Sequence, residues 1–333
     1  MKNKKVISVI LVGVALAVIV VLGVTAGRLV AGRQQELEQV QEESQTPPAQ
    51  TATRNEVTYE GRTYRYNENL TNILFLGVDK EQEVTLQNTP GTAGQADCIM
   101  LLSLDQETET GRVLQISRDC MTQVDLYDVS GNYFTSVEAQ LATQYAYGNG
   151  ERSSCWAMEK TVGELLQDVP IDAYLSLNID AIGSLNDAVG GVTLTIPEDY
   201  TAIDPAFTSG AVVTLNGEQA ERYVRYRDTN VTGSNNERME RQVQYITALF
   251  SALKNTAGEE DSYYERFSSY LRPYMVTDMD GQQIDSFVNY QFLSEETRYV
   301  PGESVKGEEH EEFIVNEEKL TQILLEMFYK VEE

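Results

Sequence analysis

Five arginines lie within 21 residues of this chain, in the stretch RYVRYRDTNVTGSNNERMERQ. They are Arg222, Arg225, Arg227, Arg238 and Arg241. The whole chain has only 25 Lys and Arg against 52 Asp and Glu, so this stretch holds a fifth of the cations. Because guanidinium groups bind phosphate through paired hydrogen bonds, so dense a cluster in an acidic chain predicts an anion-binding site.

The second half of this stretch carries the signals of a helix N-terminus. Ser234 is followed three residues later by Glu237, a capping-box pattern, and apolar residues then recur at helical spacing. Arg238, Arg241 and Gln242 fall beside the apolar stripe. The free N–H groups and the dipole of a helix N-terminus favour anions, so we expect these three side chains to contribute to a phosphate site.

Arg225 and Arg227 lie just upstream, across a loop that contains glycine. In an extended segment their spacing would place both side chains on one side, whereas in a helix the two would diverge. The alternative for every arginine of the cluster is an ion pair with a nearby acid. The acids available for this are Glu218, Glu221, Asp228, Glu237 and Glu240. We favour the anion site, because five arginines are concentrated in one part of a strongly acidic chain.

Two aspartates supply a second set of candidate ligands. Asp79 ends the apolar run NILFLGVD, and Asp97 precedes the run CIMLLSLD. If these strands run antiparallel, both carboxylates lie at one edge of a sheet, where they can hold Mg²⁺ together with substrate phosphates. Arg118 ends a third run, VLQISRD, and would face the same pocket. Arginines, carboxylates and a metal ion are the components of phosphoryl transfer.

Strands and helices alternate along the part of the chain that carries these residues. Apolar runs predict strands over residues 72–79, 98–105, 112–119, 173–179 and 191–197. Helical patterns cover residues 136–147, 153–167, 180–189, the segments after Gly217 and Ser234, and residues 285–292 and 317–331. The order predicts a layered α-β-α domain with a central mixed, largely parallel sheet. Residues 258–333 are acidic and rich in tyrosine, and we expect no chemistry there.

The beginning of the chain predicts a membrane anchor. Residues 6–26 contain no charged side chain, and a helix of that length is about 31 Å long, which matches the hydrocarbon core of a bilayer. Lys2, Lys4 and Lys5 precede this segment, so residues 1–5 are expected inside the cell and the bulk of the chain outside. A cleaved signal peptide is the alternative, although its apolar core is usually shorter.

The rest of the chain is a predicted stalk, residues 27–55, and an extracytoplasmic domain, residues 56–333. Residues 1–33 contain five Lys or Arg and no acid, so the remainder carries 20 cations against 52 acids, a net charge of −32. That field repels nucleic acid and argues against a DNA-binding regulator.

Cysteine and histidine offer little for catalysis or metal binding. Cys98, Cys120 and Cys155 show no metal-site spacing, and we expect Cys98 and Cys120 to pack in the core. His310 lies among four acids in GEEHEEF and is the only histidine, so a His-based catalytic triad is excluded.

Seven motifs occur in a characteristic order between about residues 70 and 255. They are NILFLGVD, ADCIMLLSLD, VLQISRD, TQYAYGNG, PIDAYLSLNIDAIGSLNDAVGGV, LNGEQAERYVRYR and NNERMERQ. In this order they resemble the LytR–CpsA–Psr family, whose members are cell-wall glycopolymer ligases of Gram-positive bacteria. The predicted anchor and stalk fit the same family.

The resemblance implies transfer of a phospho-glycan, such as wall teichoic acid or capsule polysaccharide, from undecaprenyl pyrophosphate to peptidoglycan. The acceptor would be the C6 hydroxyl of N-acetylmuramic acid, and undecaprenyl phosphate would be released. The implied catalytic residues are Asp79, Asp97, Arg118 and Arg227, of which the aspartates would coordinate Mg²⁺ (or Mn²⁺) or assist the attacking hydroxyl. The implied pyrophosphate ligands are Arg118, Arg225, Arg227, Arg238 and Gln242, and Arg241 matches the motif but would serve equally well in a structural role. A polyprenyl tail would need a long apolar pocket between the sheet and the helices.

Four positions depart from the family pattern. Asn235 stands in place of an acid, Ser117 in place of a proline, Gln95 and Ala96 where an arginine is common, and Ala142 in place of an asparagine. Asn235 can cap a helix or bond to an arginine, but it cannot act as a base. Two alternative functions therefore stay open: a protein that binds or assembles the lipid carrier without turnover, and a hydrolase of the same pyrophosphate.

Overall fold

The computed structural model describes residues 56–128, 130–228, 230–256, 263–292, 294–308 and 310–332. The predicted transmembrane segment at residues 6–26 and the whole of the predicted stalk at residues 27–55 lie outside these ranges. No helix within the ranges combines the length and apolar character that crossing a bilayer requires.

Sixteen β-strands occur in the described part of the chain. They are β1 (Glu56–Tyr59), β2 (Arg62–Tyr66), β3 (Leu70–Val78), β4 (Ala96–Asp105), β5 (Thr110–Ile116), β6 (Met121–Tyr127), β7 (Tyr133–Gln140), β8 (Ala173–Asn178), β9 (Val192–Thr195), β10 (Val212–Leu215), β11 (Met275–Thr277), β12 (Gln291–Phe292), β13 (Arg298–Tyr299), β14 (Gly302–Lys306), β15 (Glu311–Val315) and β16 (Tyr329–Val331).

Eight α-helices occur in the same ranges. They are α1 (Thr143–Ala146), α2 (Arg152–Leu165), α3 (Asp180–Ala188), α4 (Gly217–Arg225), α5 (Ser234–Thr256), α6 (Tyr263–Leu271), α7 (Gly281–Ser286) and α8 (Glu317–Phe328). The predicted helix that begins at Ser234 is therefore present, and it is the longest of the eight.

A mixed sheet in the order β11-β8-β3-β4-β5-β12 forms the centre, with β13 also paired to β5. β3 is parallel to β8 and antiparallel to β4, and β4 is antiparallel to β5. The mixed character is confirmed, but the expected mainly parallel arrangement is wrong for the long central strands. Residues 106–109 form the whole connection between β4 and β5, and so short a link permits only antiparallel pairing.

Helices cover both faces of this sheet. Successive residues of β4 point to opposite sides, and nearly all of the strand is buried. Met100 packs in a core with residues of α3, α4 and α5, whereas Leu101 packs in a second core with residues of α2 and α8. The predicted α-β-α layering is confirmed, and continuous apolar strands are its sequence signature.

Three predicted helices differ from the structure. Most of the predicted helix over residues 136–147 is strand, because Tyr133–Gln140 pairs with β6 as a hairpin, and only Thr143–Ala146 is helical. The helix expected at residues 285–292 lies earlier, at Gly281–Ser286, and is followed by a 3-10 turn and β12. The last helix ends at Phe328, after which the chain pairs with β2 as a strand.

Candidate functional site

A largely apolar cavity lies between the sheet and helices α3, α4 and α5. Its volume is about 790 Å³, including space open to solvent. Aliphatic and aromatic side chains form most of its wall, among them Phe75, Met100, Leu185, Ile246 and Leu249. Its polar end is formed by Asp79, Asp97, Arg225, Arg238 and Gln242. Helix α5 contributes to both parts, since Arg238 and Gln242 precede Ile246 and Leu249 along it.

A β-bulge aims Asp97 into this cavity. Asp79 directly follows β3, and the register between β3 and β4 shifts between Gly77 and Val78, so that Asp97 is left as the extra residue. Bulges redirect a side chain in this way and are common next to active sites. Asp97 and Cys98 consequently both line the cavity, although neighbouring residues of a regular strand point to opposite faces.

The carboxylate of Asp97 joins two arginines from different elements. Its Oδ1 accepts a hydrogen bond from Arg118 at 2.5 Å, and its Oδ2 accepts one from Arg238 at 2.9 Å. Arg118 follows β5 and also bonds to the side chain of Gln95. Burial lowers the pKa of Arg238, while Asp97 acts in the opposite direction. An arginine retains its charge under such opposing influences.

Asn235 supports Arg238 and does not line the cavity. Its Oδ1 accepts two hydrogen bonds from Arg238, at 3.2 and 2.7 Å, and its Nδ2 donates to Ser117 at 3.1 Å. The side chain is 1% exposed. Asn235, which stands in place of an acid, therefore orients the guanidinium of Arg238. Its other partner is the hydroxyl of Ser117, the residue that stands in place of a proline. Two other positions that depart from the family pattern also contact each other, since the N–H of Ala96 donates to the carbonyl of Ala142 at 3.2 Å.

Arg227 lies in a network that the sequence did not indicate. It donates to Glu311 at 2.8 Å and to Ser234 at 3.3 Å, and it lies 3.4 Å from Asp119. Asp119 is 2% exposed and also lies 3.4 Å from Arg118. Burial raises the pKa of Asp119, opposed by the two guanidiniums. Glu311 lies in the region where we expect no chemistry, yet it contacts Arg227, one of the predicted site residues.

Arg225 is held much more loosely than Arg227. Arg225 is the last residue of α4, whereas Arg227 lies beyond the helix, so the side chains of Arg225 and Arg227 diverge. Arg225 pairs with Glu81 at 3.0 Å and with Glu221 at 3.1 Å, and its side chain is 46% exposed. Ion pairs this exposed hold a side chain weakly, so Arg225 can turn toward a ligand in the cavity at little cost. Arg222 instead pairs with Asp204 at 2.9 Å.

Arg241 has a structural environment. It donates to the carbonyl oxygens of Tyr223, at 2.9 Å, and of Tyr226, and its guanidinium lies 5.1 Å from the ring centre of Tyr200. The residue is 2% exposed. These contacts fix the C-terminal end of α4 against α5, which favours the structural role left open for this arginine.

Gln242 lines the cavity and has a buried acceptor atom. Its Nε2 donates to the carbonyl of Val224 at 3.3 Å, and its Oε1 is buried with no hydrogen-bond partner among the described residues. A phosphate oxygen needs a donor, so Gln242 in this orientation suits a hydroxyl or a water molecule better than the pyrophosphate.

Whether Asp79 and Asp97 could hold a metal ion can be judged from the ligand atoms that they offer. No group of three or more His, Cys, Asp or Glu in the described ranges is arranged to hold a metal ion. Mg²⁺, however, is commonly bound by one or two carboxylates together with waters and substrate phosphates. Each oxygen of Asp97 keeps a second lone pair beyond its bond to an arginine. The donor chemistry of Asp79 and Asp97 therefore suits a Mg²⁺ ion that arrives with a phosphate ligand.

Known proteins with a similar sequence include a biofilm regulatory protein and teichoic acid transferases. The chain is 27% identical over 230 residues to biofilm regulatory protein A of Streptococcus mutans, covering 67% of this chain and 53% of that protein. It is 29% identical over 192 residues to the polyisoprenyl-teichoic acid–peptidoglycan teichoic acid transferase TagV of Bacillus subtilis, covering 56% of this chain and 44% of that protein. The chain thus spans about half the length of the curated relatives it matches.

The fold is also found among solved structures. The crystal structure of TagV from Bacillus subtilis superposes with a TM-score of 0.59 at 21% identity, covering 78% of this chain and 95% of that chain. The model of the LytR_cpsA_psr family matches residues 32–328, which include every residue of the site described above. This chain is a member of the LytR_cpsA_psr family.

Proposed function

We propose that this protein transfers a phospho-glycopolymer from a polyprenyl pyrophosphate carrier to peptidoglycan and releases the polyprenyl phosphate. The glycopolymer is of the teichoic acid or capsule type. The names of related proteins support the class of reaction, since TagV is a polyisoprenyl-teichoic acid–peptidoglycan teichoic acid transferase.

One observation carries this proposal: an apolar cavity whose polar end combines two carboxylates with two arginines. A polyprenyl chain is a long hydrocarbon, and the wall formed by Phe75, Leu185, Ile246 and Leu249 suits it. A pyrophosphate attached to that chain would then lie at the polar end, next to Arg238.

The chain's own residues can orient both reactants. The acceptor hydroxyl attacks the phosphorus that carries the glycan, a new P–O bond forms, and the bond to the bridging oxygen breaks. Polyprenyl phosphate leaves with the electron pair and takes up the proton that the hydroxyl releases. Arg225 and Arg238 donate to the phosphate oxygens, where preorganised donors stabilise the charge that develops during transfer.

A divalent cation complements these groups. The network around Asp97 contains three guanidiniums, of Arg118, Arg227 and Arg238, and three carboxylates, of Asp97, Asp119 and Glu311. The cluster is thus already close to neutral before a pyrophosphate enters. Mg²⁺ (or Mn²⁺) held by Asp79 and Asp97 would supply the missing positive charge to the phosphates.

The proposed location is the outer face of the cell membrane. The uncharged segment at residues 6–26 would anchor the chain, with residues 1–5 inside and the catalytic domain outside. Membrane fractionation and protease accessibility in intact protoplasts test this topology, and protection of the domain from external protease would contradict it.

A transfer assay tests the reaction itself. The full chain in detergent is incubated with a polyprenyl-pyrophosphate-linked saccharide, peptidoglycan oligomers and MgCl₂, and products are identified by mass spectrometry. Asp97→Asn removes the carboxylate that joins Arg118 and Arg238, and we expect the rate to fall about 100-fold or more. Glu198→Gln, at an exposed acid remote from the cavity, is the control and should retain the full rate. Absence of transfer by the unmodified chain would exclude this function.

A cavity-filling variant tests the lipid part of the donor. Ile182 on α3 lines the cavity, and Ile182→Trp adds bulk where the hydrocarbon chain would lie. We expect the affinity for geranyl pyrophosphate to fall about tenfold, because the buried apolar contact is lost. The affinity for inorganic pyrophosphate, which needs only the polar end, should stay within about twofold. Equal losses for both ligands would place the lipid elsewhere.

A second candidate is a carrier-binding or assembly protein without turnover. Asn235 stands where the family pattern has an acid, and this observation alone favours it. The candidate predicts co-purified polyprenyl phosphate, no transfer product, and activity that appears on Asn235→Asp. Because Asn235 already orients Arg238 through two hydrogen bonds, we favour the active enzyme and expect Asn235→Asp to change the rate by less than about tenfold.

A further inference from the structure

Glu311 is a largely buried acid at the edge of the proposed site. Its Oε2 lies 2.8 Å from Arg227, and its Oε1 accepts a hydrogen bond at 2.7 Å from the N–H of Gly233, the residue before α5. Its side chain is 13% exposed. A single carboxylate thus binds both the segment that carries Arg227 and the start of the helix that carries Arg238.

The backbone of Glu311 is fixed by its surroundings. It begins β15, which forms a hairpin with β14, and its carbonyl accepts a hydrogen bond from Gln140 at 2.8 Å. Two residues later, Phe313 is 5% exposed within the core and donates its N–H to the carbonyl of Asp119 at 2.8 Å. These contacts with the core hold Glu311 in place, so it does not belong to a segment that could move out of the site.

The two groups that Glu311 binds are those that an external anion would otherwise use. A guanidinium and a backbone N–H next to a helix N-terminus form a common phosphate site. With Glu311 in place, Arg227 is held by Glu311, Asp119 and Ser234 in one orientation. The phosphate ligand is therefore left to the donors that line the cavity, Arg225 and Arg238.

We propose that Glu311 is a positioning residue of the transferase site, which holds Arg227 and the start of α5 so that Arg238 faces the cavity in a fixed orientation. The inference rests on the proposed function. It assigns a role to the C-terminal hairpin β14–β15, which contributes no residue to the cavity wall among the described residues.

Binding of geranyl pyrophosphate with MgCl₂ to the full chain in detergent, measured by calorimetry, tests this role. Glu311→Gln removes a negative charge near an anionic ligand, so electrostatic repulsion alone predicts tighter binding. Positioning predicts the opposite, and we expect the affinity to fall about tenfold. Glu303→Gln, at an exposed acid on the same hairpin, removes the same charge and should leave the affinity within about twofold. Unchanged or tighter binding by Glu311→Gln would overturn the proposal.

A second comparison asks whether Glu311 acts through Arg227. If it does, Arg227→Ala should lower the affinity, and adding Glu311→Gln to it should produce no further loss. Additive losses would show that Glu311 acts independently and would overturn the positioning role. Glu311→Asp, which keeps the charge but shortens the side chain, is the variant to use if Glu311→Gln folds poorly. It should also weaken binding, and wild-type affinity for it would count against the proposal.

Hydrogen exchange separates this inference from the proposed function. In Glu311→Gln, amide exchange in the peptide covering residues 226–236 should rise at least about fivefold, while the melting temperature stays close to that of the wild type. Unaltered exchange would overturn the positioning role whatever the ligand. Failure of the wild-type chain to bind geranyl pyrophosphate, combined with altered exchange in the variant, would instead overturn the proposed function.

Discussion

At the scale of single residues, the arginines between residues 222 and 242 differ in how firmly the fold holds them. Arg225 is half-exposed and paired only with surface acids, whereas Arg238 is buried against Asp97 and Asn235. A mobile cation can follow a phosphate as it moves, and a fixed cation defines where the phosphate must be. The site therefore combines capture by Arg225 with orientation by Arg238.

Arg241 is expected to affect stability and not ligand binding. Arg241→Met keeps the length of the side chain but leaves the carbonyls of Tyr223 and Tyr226 without their donor, which should cost about 2–4 kcal/mol in the free energy of unfolding. Urea denaturation measures this loss. Arg222→Met, in the same stretch but with an exposed side chain, is the control and should cost less than about 1 kcal/mol. A weakened pyrophosphate affinity in folded Arg241→Met would return this residue to the binding site.

Part of the site could be predicted from the sequence, because the arginine stretch and the strand-end aspartates are local patterns. The pairings between them are not local. Arg238 and Asp97 are 141 positions apart, and Arg227 and Glu311 are 84 positions apart. No spacing rule connects residues at such separations, so Glu311 was indistinguishable from the other acids of the C-terminal region.

At the scale of elements, the predictions worked where one physical signal dominated. Largely apolar runs predicted β3, β4 and β5, because a strand buried on both faces has few polar positions. The segment of β7 overlaps the helix predicted over residues 136–147, but it forms a strand because it pairs with its neighbour β6. Thr135 and Val137 are β-branched, which suits a hairpin better than a helix.

Helix α2 carries an acid whose environment should make stability depend on pH. Burial and the nearby carboxylates of Asp278 and Asp172 raise the pKa of Glu159 to about 7. Between its ordinary pKa and about 7, the folded chain keeps the proton while the unfolded chain has lost it, so stability falls as pH rises through this range. Above that range Glu159 is ionised in both the folded and the unfolded chain, and the full free-energy cost of burying its charge remains.

Glu159→Gln should remove this cost. We expect its melting temperature to exceed that of the wild type by about 2–4 °C at about pH 8, and the difference should shrink toward about pH 5. Calorimetry over this pH range measures both effects. Glu164→Gln, at an exposed acid of the same helix, should show no such trend. A constant difference between Glu159→Gln and wild type at all pH values would contradict this account.

At the scale of the whole molecule, a strongly acidic surface surrounds a site for an anion. The net charge of the chain is −27, and the field of such a surface repels phosphates before they reach the cavity. Direct contacts with Arg225 and Arg238 act only at short range. The field should therefore slow association more than it weakens the final complex.

The association rate of geranyl pyrophosphate should consequently rise with ionic strength. Between about 20 and 150 mM NaCl the Debye length falls from roughly 20 Å to 8 Å, which screens the field but not the buried contacts. We expect a rise of about two- to fivefold, measured by stopped-flow fluorescence. If attraction by the local arginines governed the encounter instead, the association rate would fall as ionic strength rises, and this result would contradict the account.

The pairing of β16 with β2 has a consequence for biosynthesis. Tyr329 emerges from the ribosome 263 residues after Tyr66, with which it pairs, and Glu311 belongs to the same late segment. A nascent chain can build the central sheet and the cavity before that, yet Arg227 gains its full set of partners only once Glu311 has been translated. A product truncated before Glu311 would therefore be made with an unfinished site.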